Sequence, residues 1–197
     1  MQLFISQYLK LFFVLTPFFV ISMFLALTNE YTDNKKKRLA FKVTLAVIAI
    51  SFSIYIFGKY IFLIFGITLD AFRIGAGALL FLSAAALVQG GTGGKEEQIH
   101  TGDIAVVPLA LPITVGPATT GVLLVMGVEM ESIASKLIAG SALLCAILTV
   151  GLLLYVAGHI ERWLGKTGIS ILSKLTGLIL ASIAAQTMLT GIKGMLG

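Results

Sequence analysis

The residues best suited to holding a polar solute lie in one apolar stretch, LALPITVGPATTG, Leu109 to Gly121. A proline lacks the amide donor and clashes with the carbonyl four residues back. Pro112 and Pro117 together therefore release several carbonyls and amides from a regular helix. Gly116 permits close backbone approach. The hydroxyls of Thr114, Thr119 and Thr120 can satisfy freed groups or face a ligand. A smaller version occurs at Thr16-Pro17, with Ser22 one turn on. The chemistry is recognition. The amino end of a half-helix offers amides and partial positive charge to a carboxylate. Freed carbonyls and hydroxyls receive an ammonium group or a cation. A small zwitterion matches both ends. The plainer alternative is a kinked, tightly packed helix, since Pro and Gly are more frequent in membrane helices than in soluble ones.

The elements that position these residues are membrane spans. The run Ile104–Val128 carries no charged residue. The 197-residue chain is 58% hydrophobic and 12% charged, with mean hydropathy +1.03. Soluble domains are nearer ~45–50% apolar and ~25% charged, so the composition is that of an integral membrane protein in a lipid bilayer. A spanning helix needs about 20 mainly apolar residues. Runs of that kind occur at Leu11–Leu27, Leu39–Phe57, Ile74–Gly90, Ile104–Val128, Leu137–Gly158 and Leu175–Ile192. The expected fold is an all-α polytopic membrane protein with six transmembrane helices, the first and fourth interrupted. Tyr60–Leu69 is too short to span and reads as interfacial or as an extension of a neighbouring helix. The first run is followed by further spans and lacks a nearby signal-peptidase pattern, so it reads as a retained helix.

With both termini outside, the inner loops hold Lys35, Lys36, Lys37, Arg38, Lys42, Lys95, Arg162, Lys166 and Lys174. The outer face holds Lys10, Lys59, Arg73, Lys136 and Lys193. The positive-inside rule favours this orientation, with both termini periplasmic.

The halves can be overlaid. Residues 1–94 hold a proline-broken run, a helix ending near Gly58, a loop with Gly66, and DAFRIGAGALLFL. Residues 95–197 hold the run with Pro112, a helix ending near Gly158, a loop with Gly165, and SKLTGLILAS. Arg73 and Lys174 fall in matching places. Three-helix repeats must run in opposite directions, so the expected architecture is two inverted three-helix repeats in one membrane domain. Such repeats are a hallmark of secondary transporters, with the solute near the midplane where interrupted helices meet.

Other candidates are fewer. Asp103 opens the fourth run and is either an N-cap or a site for a coupling proton or cation. Asp70 is a second possible site for ion or proton coupling, and is also spaced to pair with Arg73 on one helix face; Arg73 and Lys174 otherwise snorkel to the interface. Cys145 reads as a small core residue, and His100 and His159 as loop residues. No metal, cofactor or nucleic-acid signature is present: the basic residues sit between apolar runs. The absence of G-x-x-x-x-G-K-[ST], G-x-S-x-G and H-E-x-x-H argues against ATP hydrolysis by a P-loop and against a hydrolase. The expectation is a protein that is not an enzyme.

Four stretches carry a family resemblance: DIAVVPLALPITVGPATT (Asp103–Thr120), AFRIGAGALLFL (Ala71–Leu82), TPFFVISMFLALT (Thr16–Thr28) and LGKTGISILSKLTGLILASIAAQ (Leu164–Gln186). In that order they resemble the MarC family of bacterial inner-membrane proteins across essentially the whole chain. The resemblance implies six helices in two three-helix halves. It also implies a link to transport of small neutral amino acids such as glycine and alanine. The family often has Asn-Pro in the first helix and a second proline five residues on; Thr16 and Ser22 stand in their places here. The function expected is a secondary transporter of small neutral amino acids across the bacterial inner membrane by alternating access. H+ or Na+ is a possible coupling ion and a homo-oligomer a possible assembly. A non-transporting scaffold, or an exporter of another small solute, is the alternative.

Overall fold

A computed structural model describes residues 1–90, 109–110, 113–130 and 132–197. Among them the chain is entirely helical: α1 Gln2–Val14, α2 Pro17–Leu27, α3 Asp33–Phe65, α4 Leu69–Gln89, α5 Pro117–Glu129, α6 Ile133–Tyr155 and α7 Ala157–Leu196. Five helical segments, counting α1 and α2 as one, are long and apolar enough to cross a membrane; α5 is a shorter apolar helix.

Local chemistry sets the boundaries. The Thr68 hydroxyl accepts from the Ala71 amide at 3.3 Å and opens α4, with Asp70 in the first turn, where the helix dipole favours a carboxylate. The Ser132 hydroxyl accepts from Ser135 at 3.1 Å and opens α6. Gly66 ends α3 at φ +61, a left-handed C-cap that glycine adopts without strain. Tyr60–Phe65 thereby becomes the last turns of α3, and Phe62 packs edge-on against Phe72 at 4.7 Å across the turn. Gly165 sits at φ 66, ψ 171 inside α7 and bends it; that backbone region is essentially open to glycine alone. His159, expected in a loop, lies in the leg of α7 before this bend.

The buried face of α6 shows the packing pattern. Ala139, Ala142, Leu143, Ala146, Ile147, Val150 and Leu154 form one helical stripe, while Leu144, Leu148 and Leu152 point outward. Cys145 is exposed with them. This corrects its expected core position: the buried stripe passes on either side of residue 145. An exterior rich in leucine, isoleucine and phenylalanine would be an association hazard in water and is what a lipid-facing surface requires. Hydroxyls within the helices bond back to the carbonyl four residues earlier, as Thr44 does to Ala40 at 2.8 Å and Thr176 to Leu172 at 2.9 Å, so they need no water.

Helices α4 and α7 share the most extensive helix–helix contact among the described residues. A Cβ added at Gly77 would stand 3.0 Å from the Ala184 carbonyl, and one at Gly177 would stand 2.9 Å from the Ala84 carbonyl. The pairs 77/184 and 84/177 have equal sums, which makes the two helices antiparallel. They are also exchanged by an offset of 100 residues. Leu80 and Leu180, midway along the crossing, are both fully buried. Small residues also bring α3 and α5 together: a Cβ at Gly58 would stand 3.1 Å from the Leu124 carbonyl, and one at Gly127 would meet the Tyr55 carbonyl.

Gly77→Ile should therefore lower the thermal unfolding midpoint in detergent by the equivalent of roughly 1–3 kcal/mol, the usual scale of core overpacking. Gly75→Ile, at a position with nothing within 4 Å of its Cβ, should leave it nearly unchanged. Equal losses at both positions would contradict the crossing.

Candidate functional site

The first span is interrupted where its proline predicts, in a specific way. Thr16 adopts φ 48, ψ 55, the left-handed region, and Pro17 takes the first position of α2. The Phe13 carbonyl would ordinarily bond to the amide of residue 17, which proline lacks. The Thr16 amide donates to it instead, at 2.9 Å. Left-handed geometry is costly for a β-branched residue and better tolerated by asparagine, the residue the resemblance places here.

The second interruption is a wide turn followed by a helix start. The Val115 amide donates to the Ala110 carbonyl at 2.9 Å, and the Thr114 hydroxyl to the Leu109 carbonyl at 2.7 Å. Both bonds reach back five residues, the spacing of a π-turn. Gly116 is then extended, and Pro117 takes the first position of α5. Pro17 and Pro117 therefore do not break helix interiors. Each of Pro17 and Pro117 begins a half-helix, where the missing amide would have been unpaired and the fixed φ is already helical. Pro17 and Pro117 thus take the same place in their helices, the first position. Neither half-helix start has a side-chain cap, so its first-turn amides have no hydroxyl partner from the cap residue.

The two interruptions touch. The Thr119 hydroxyl lies 3.3 Å from the Val14 carbonyl, at the end of α1, and 3.3 Å from the Thr114 carbonyl, before α5. One O–H is shared between two carbonyls that the broken geometry leaves near each other. Thr114, Thr119 and Pro17 are buried, and Thr16, Gly116 and Thr120 are half-buried around this point. Ser22 and Pro117 are exposed, and Asp70 lies elsewhere, at the start of α4. Pro112 and Asp103 lie outside the described residues. Beside Thr114 and Thr44 there is a space of only about 10 Å³, at the lower limit for one water. The meeting point is closed in this conformation.

A larger space opens toward the end of the bundle that carries both chain termini. It measures about 510 Å³, within the range of small-molecule sites. Leu9 and Phe13 of α1 and Val125 of α5 bring it close to the interruptions, and Gln186 and Thr190 of α7 add polar groups. Its charged wall is an ion-pair cluster. Arg73 donates from Nε at 3.1 Å and Nη2 at 2.7 Å to Glu129 Oε1, and from Nη1 to Asp70. Arg73 is thus held by carboxylates on α4 and α5. Its guanidinium is an engaged group with 18% of the side chain exposed, which corrects the picture of a residue reaching freely to the interface. Lys10 lines the same space. Glu129 and Lys10 are the residues that sequence reasoning missed. Glu129 only closed a charge-free run, and Lys10 only counted toward orientation. No group of three or more metal-ligating side chains occurs among the described residues.

Comparison with known proteins covers the same length. A family model described as MarC family integral membrane protein matches residues 1–196. A UPF0056 membrane protein of Methanocaldococcus jannaschii is 33% identical, spanning 100% of this chain and 98% of the relative. One from Aquifex aeolicus is 32% identical over 98% of this chain and 94% of its own length. The UPF0056 membrane protein YhcE of Escherichia coli is 30% identical over 95% and 90%. No solved structure matches.

Two substitutions probe the junction by thermal unfolding in one detergent. Thr16→Asn should raise stability by about 1 kcal/mol by relieving left-handed strain. Thr119→Val should lower it by about 0.5–1.5 kcal/mol through loss of the shared hydroxyl. A Thr119→Val protein as stable as the parent would show that the hydroxyl holds neither carbonyl.

Proposed function

Because this chain belongs to the MarC family of integral membrane proteins, and because its two interrupted spans converge on one buried hydroxyl, we propose that it is a secondary transporter of small neutral amino acids. The convergence on Thr119 is the observation that carries the reading. Unpaired backbone groups in lipid cost several kcal/mol unless protein or water satisfies them. A fold that twice interrupts a span, and brings both interruptions together, has a use for the freed groups. Uncapped amides at the starts of α2 and α5 suit a carboxylate; the Val14 and Thr114 carbonyls and the Thr119 hydroxyl suit an ammonium.

The architecture proposed is two inverted three-helix repeats, residues 1–94 and 95–197, in one membrane domain. Matching pairs at an offset of about 100 residues support it. Pro17 and Pro117 each begin a half-helix, the glycines at 66 and 165 both take positive φ, and the contacts 77/184 and 84/177 exchange. The cluster Lys35–Arg38 begins α3 at the end opposite the termini. By the positive-inside rule that end faces the cytoplasm and both termini face outward, in the inner (plasma) membrane. The 510 Å³ space then opens outward, the kind of one-sided access that alternating access needs at one extreme. Gly77 and Ala84, small residues that a scaffold would offer to partners, are used against α7 within the chain.

The test is uptake of labelled glycine and alanine by proteoliposomes, with and without imposed H+ and Na+ gradients. Saturable flux, reduced about 3–10-fold by Thr119→Val, is the expected result; the factor corresponds to loss of one ordinary hydrogen bond. Absence of flux across a panel of amino acids, in either direction, would overturn the proposal.

A further inference from the structure

We infer that the space at the termini end is itself a binding site, in which Lys10 takes the anionic group and Glu129 the primary ammonium of a small zwitterion, before it reaches the interruptions. The inference rests on the transport reading for its direction but not for its chemistry. Among the described residues Lys10 forms no hydrogen bond or salt bridge, although it lines the space. Glu129 is engaged through Oε1 alone, leaving Oε2 free as an acceptor. Arg73 competes weakly for the anion, because it already donates to two carboxylates whose charges together exceed its own. Its role is to hold Glu129 in place, as a positioning residue. One cation and one carboxylate oxygen, both unsatisfied and facing one cavity, are complementary to a ligand bearing both charges. A charge removed from water is expensive unless paired; a ligand without an anionic group would leave Lys10 unpaired, and one without an ammonium would leave Glu129 Oε2 without a donor.

The two halves of the chain differ at this point. At the offset of 100 residues Lys10 matches Ala110, which is fully buried, and Glu129 matches Asn29, which is exposed. The charged pair therefore belongs to one end of the bundle only. A repeat that needed these charges merely to fold would carry them twice. Their restriction to the end with the open space fits a site for capture from that side.

Two sources supply this chemistry, a free amino acid and the phosphoethanolamine headgroup of a lipid, and the structure favours the first because Gln7, Gln186 and Thr190 add polar groups around the same space. The experiment reads occupancy without transport. Ser6, on the wall of the space, is changed to Cys in a Cys145→Ser background, and the rate of labelling by a soluble thiol reagent is measured. Alanine should slow labelling. Propionate, which lacks the ammonium, and ethanolamine, which lacks the carboxylate, should not do so at the same concentration. Lys10→Gln should raise the half-protecting alanine concentration at least about tenfold, the scale of one charge-assisted hydrogen bond, and Lys10→Arg should restore it. Unchanged protection in Lys10→Gln, protection by either half-molecule equal to alanine's, or no protection by alanine would overturn the inference. Protection by glycerophosphoethanolamine in place of alanine would overturn the free amino acid and assign the space to a headgroup. Protection without uptake in proteoliposomes would leave this site standing while removing the transport reading. Uptake unaltered by Lys10→Gln would do the reverse.

Discussion

The backbone must bond to itself wherever lipid or a dry interior surrounds it, and the arrangement at Thr119 is how this chain meets that demand at its two discontinuities. A helix that stops and restarts leaves carbonyls before the stop and amides after it without partners. Here the Phe13 carbonyl is taken by the Thr16 amide, Ala110 by Val115, and Leu109 by the Thr114 hydroxyl. Val14 and Thr114 then share the hydroxyl of Thr119. The first three repairs are local and need only the chain's own turn geometry. The last is long-range, and ties the end of α1 to the start of α5.

That tie constrains the rest of the bundle. Irregular backbone at membrane depth is tolerated only where protein or an aqueous cavity surrounds it, so the junction has to be wrapped. Helices α3 and α6 wrap it on one side through small-residue contacts, with Gly151 beneath the Thr44 side chain. On the other side the α4–α7 crossing closes to backbone distance through Gly77 and Gly177. Helix α5 is held at both ends. Gly121 packs on Ala76 near its start, and Glu129 is bonded to Arg73 at its finish. A 13-residue helix, too short to span alone, is in this way fixed in register against α4.

Much of this could be read in advance because helix breakers carry their meaning locally. Thr16-Pro17 and Gly116-Pro117 mark interruptions whatever surrounds them, and Thr114, Thr119 and Thr120 stand out as hydroxyls beside the freed groups. What could not be read locally was how each proline would be used. Proline disrupts a helix interior but suits a first turn, and only the chain path decides between them. The helices also outrun their apolar cores. Lys10 lies within α1 and Lys42 within α3, since a long aliphatic stem lets a charge remain helical beyond the apolar run. The Lys10–Arg73–Glu129 grouping was invisible for a different reason. Its members are 56 or more residues apart in sequence, and only the shared end of α1, α4 and α5 brings them together.

The contrast between the two polar centres bears on how the proposed transport would work. At the junction the hydroxyl contacts are long, 3.3 Å each, and one proton serves two acceptors. Such bonds are worth about 0.5–1.5 kcal/mol in exchange for others, so an ammonium group can displace the hydroxyl without leaving the carbonyls unpaired. At the outer cluster, by contrast, both sides of Arg73 are occupied by carboxylates, and breaking one would strand a charge in a partly buried place. In the proposed transport the Arg73 cluster would therefore be the fixed frame and the junction the exchangeable part. A solute held first by charge and then by freed backbone would lose its water in two steps, with no step leaving a bare charge in an apolar surrounding. Under the proposed transport, the transition that opens the opposite face would separate Val14 from Thr119 while keeping Arg73 on Glu129, since the first contact is weak enough to trade for the solute and the second is not.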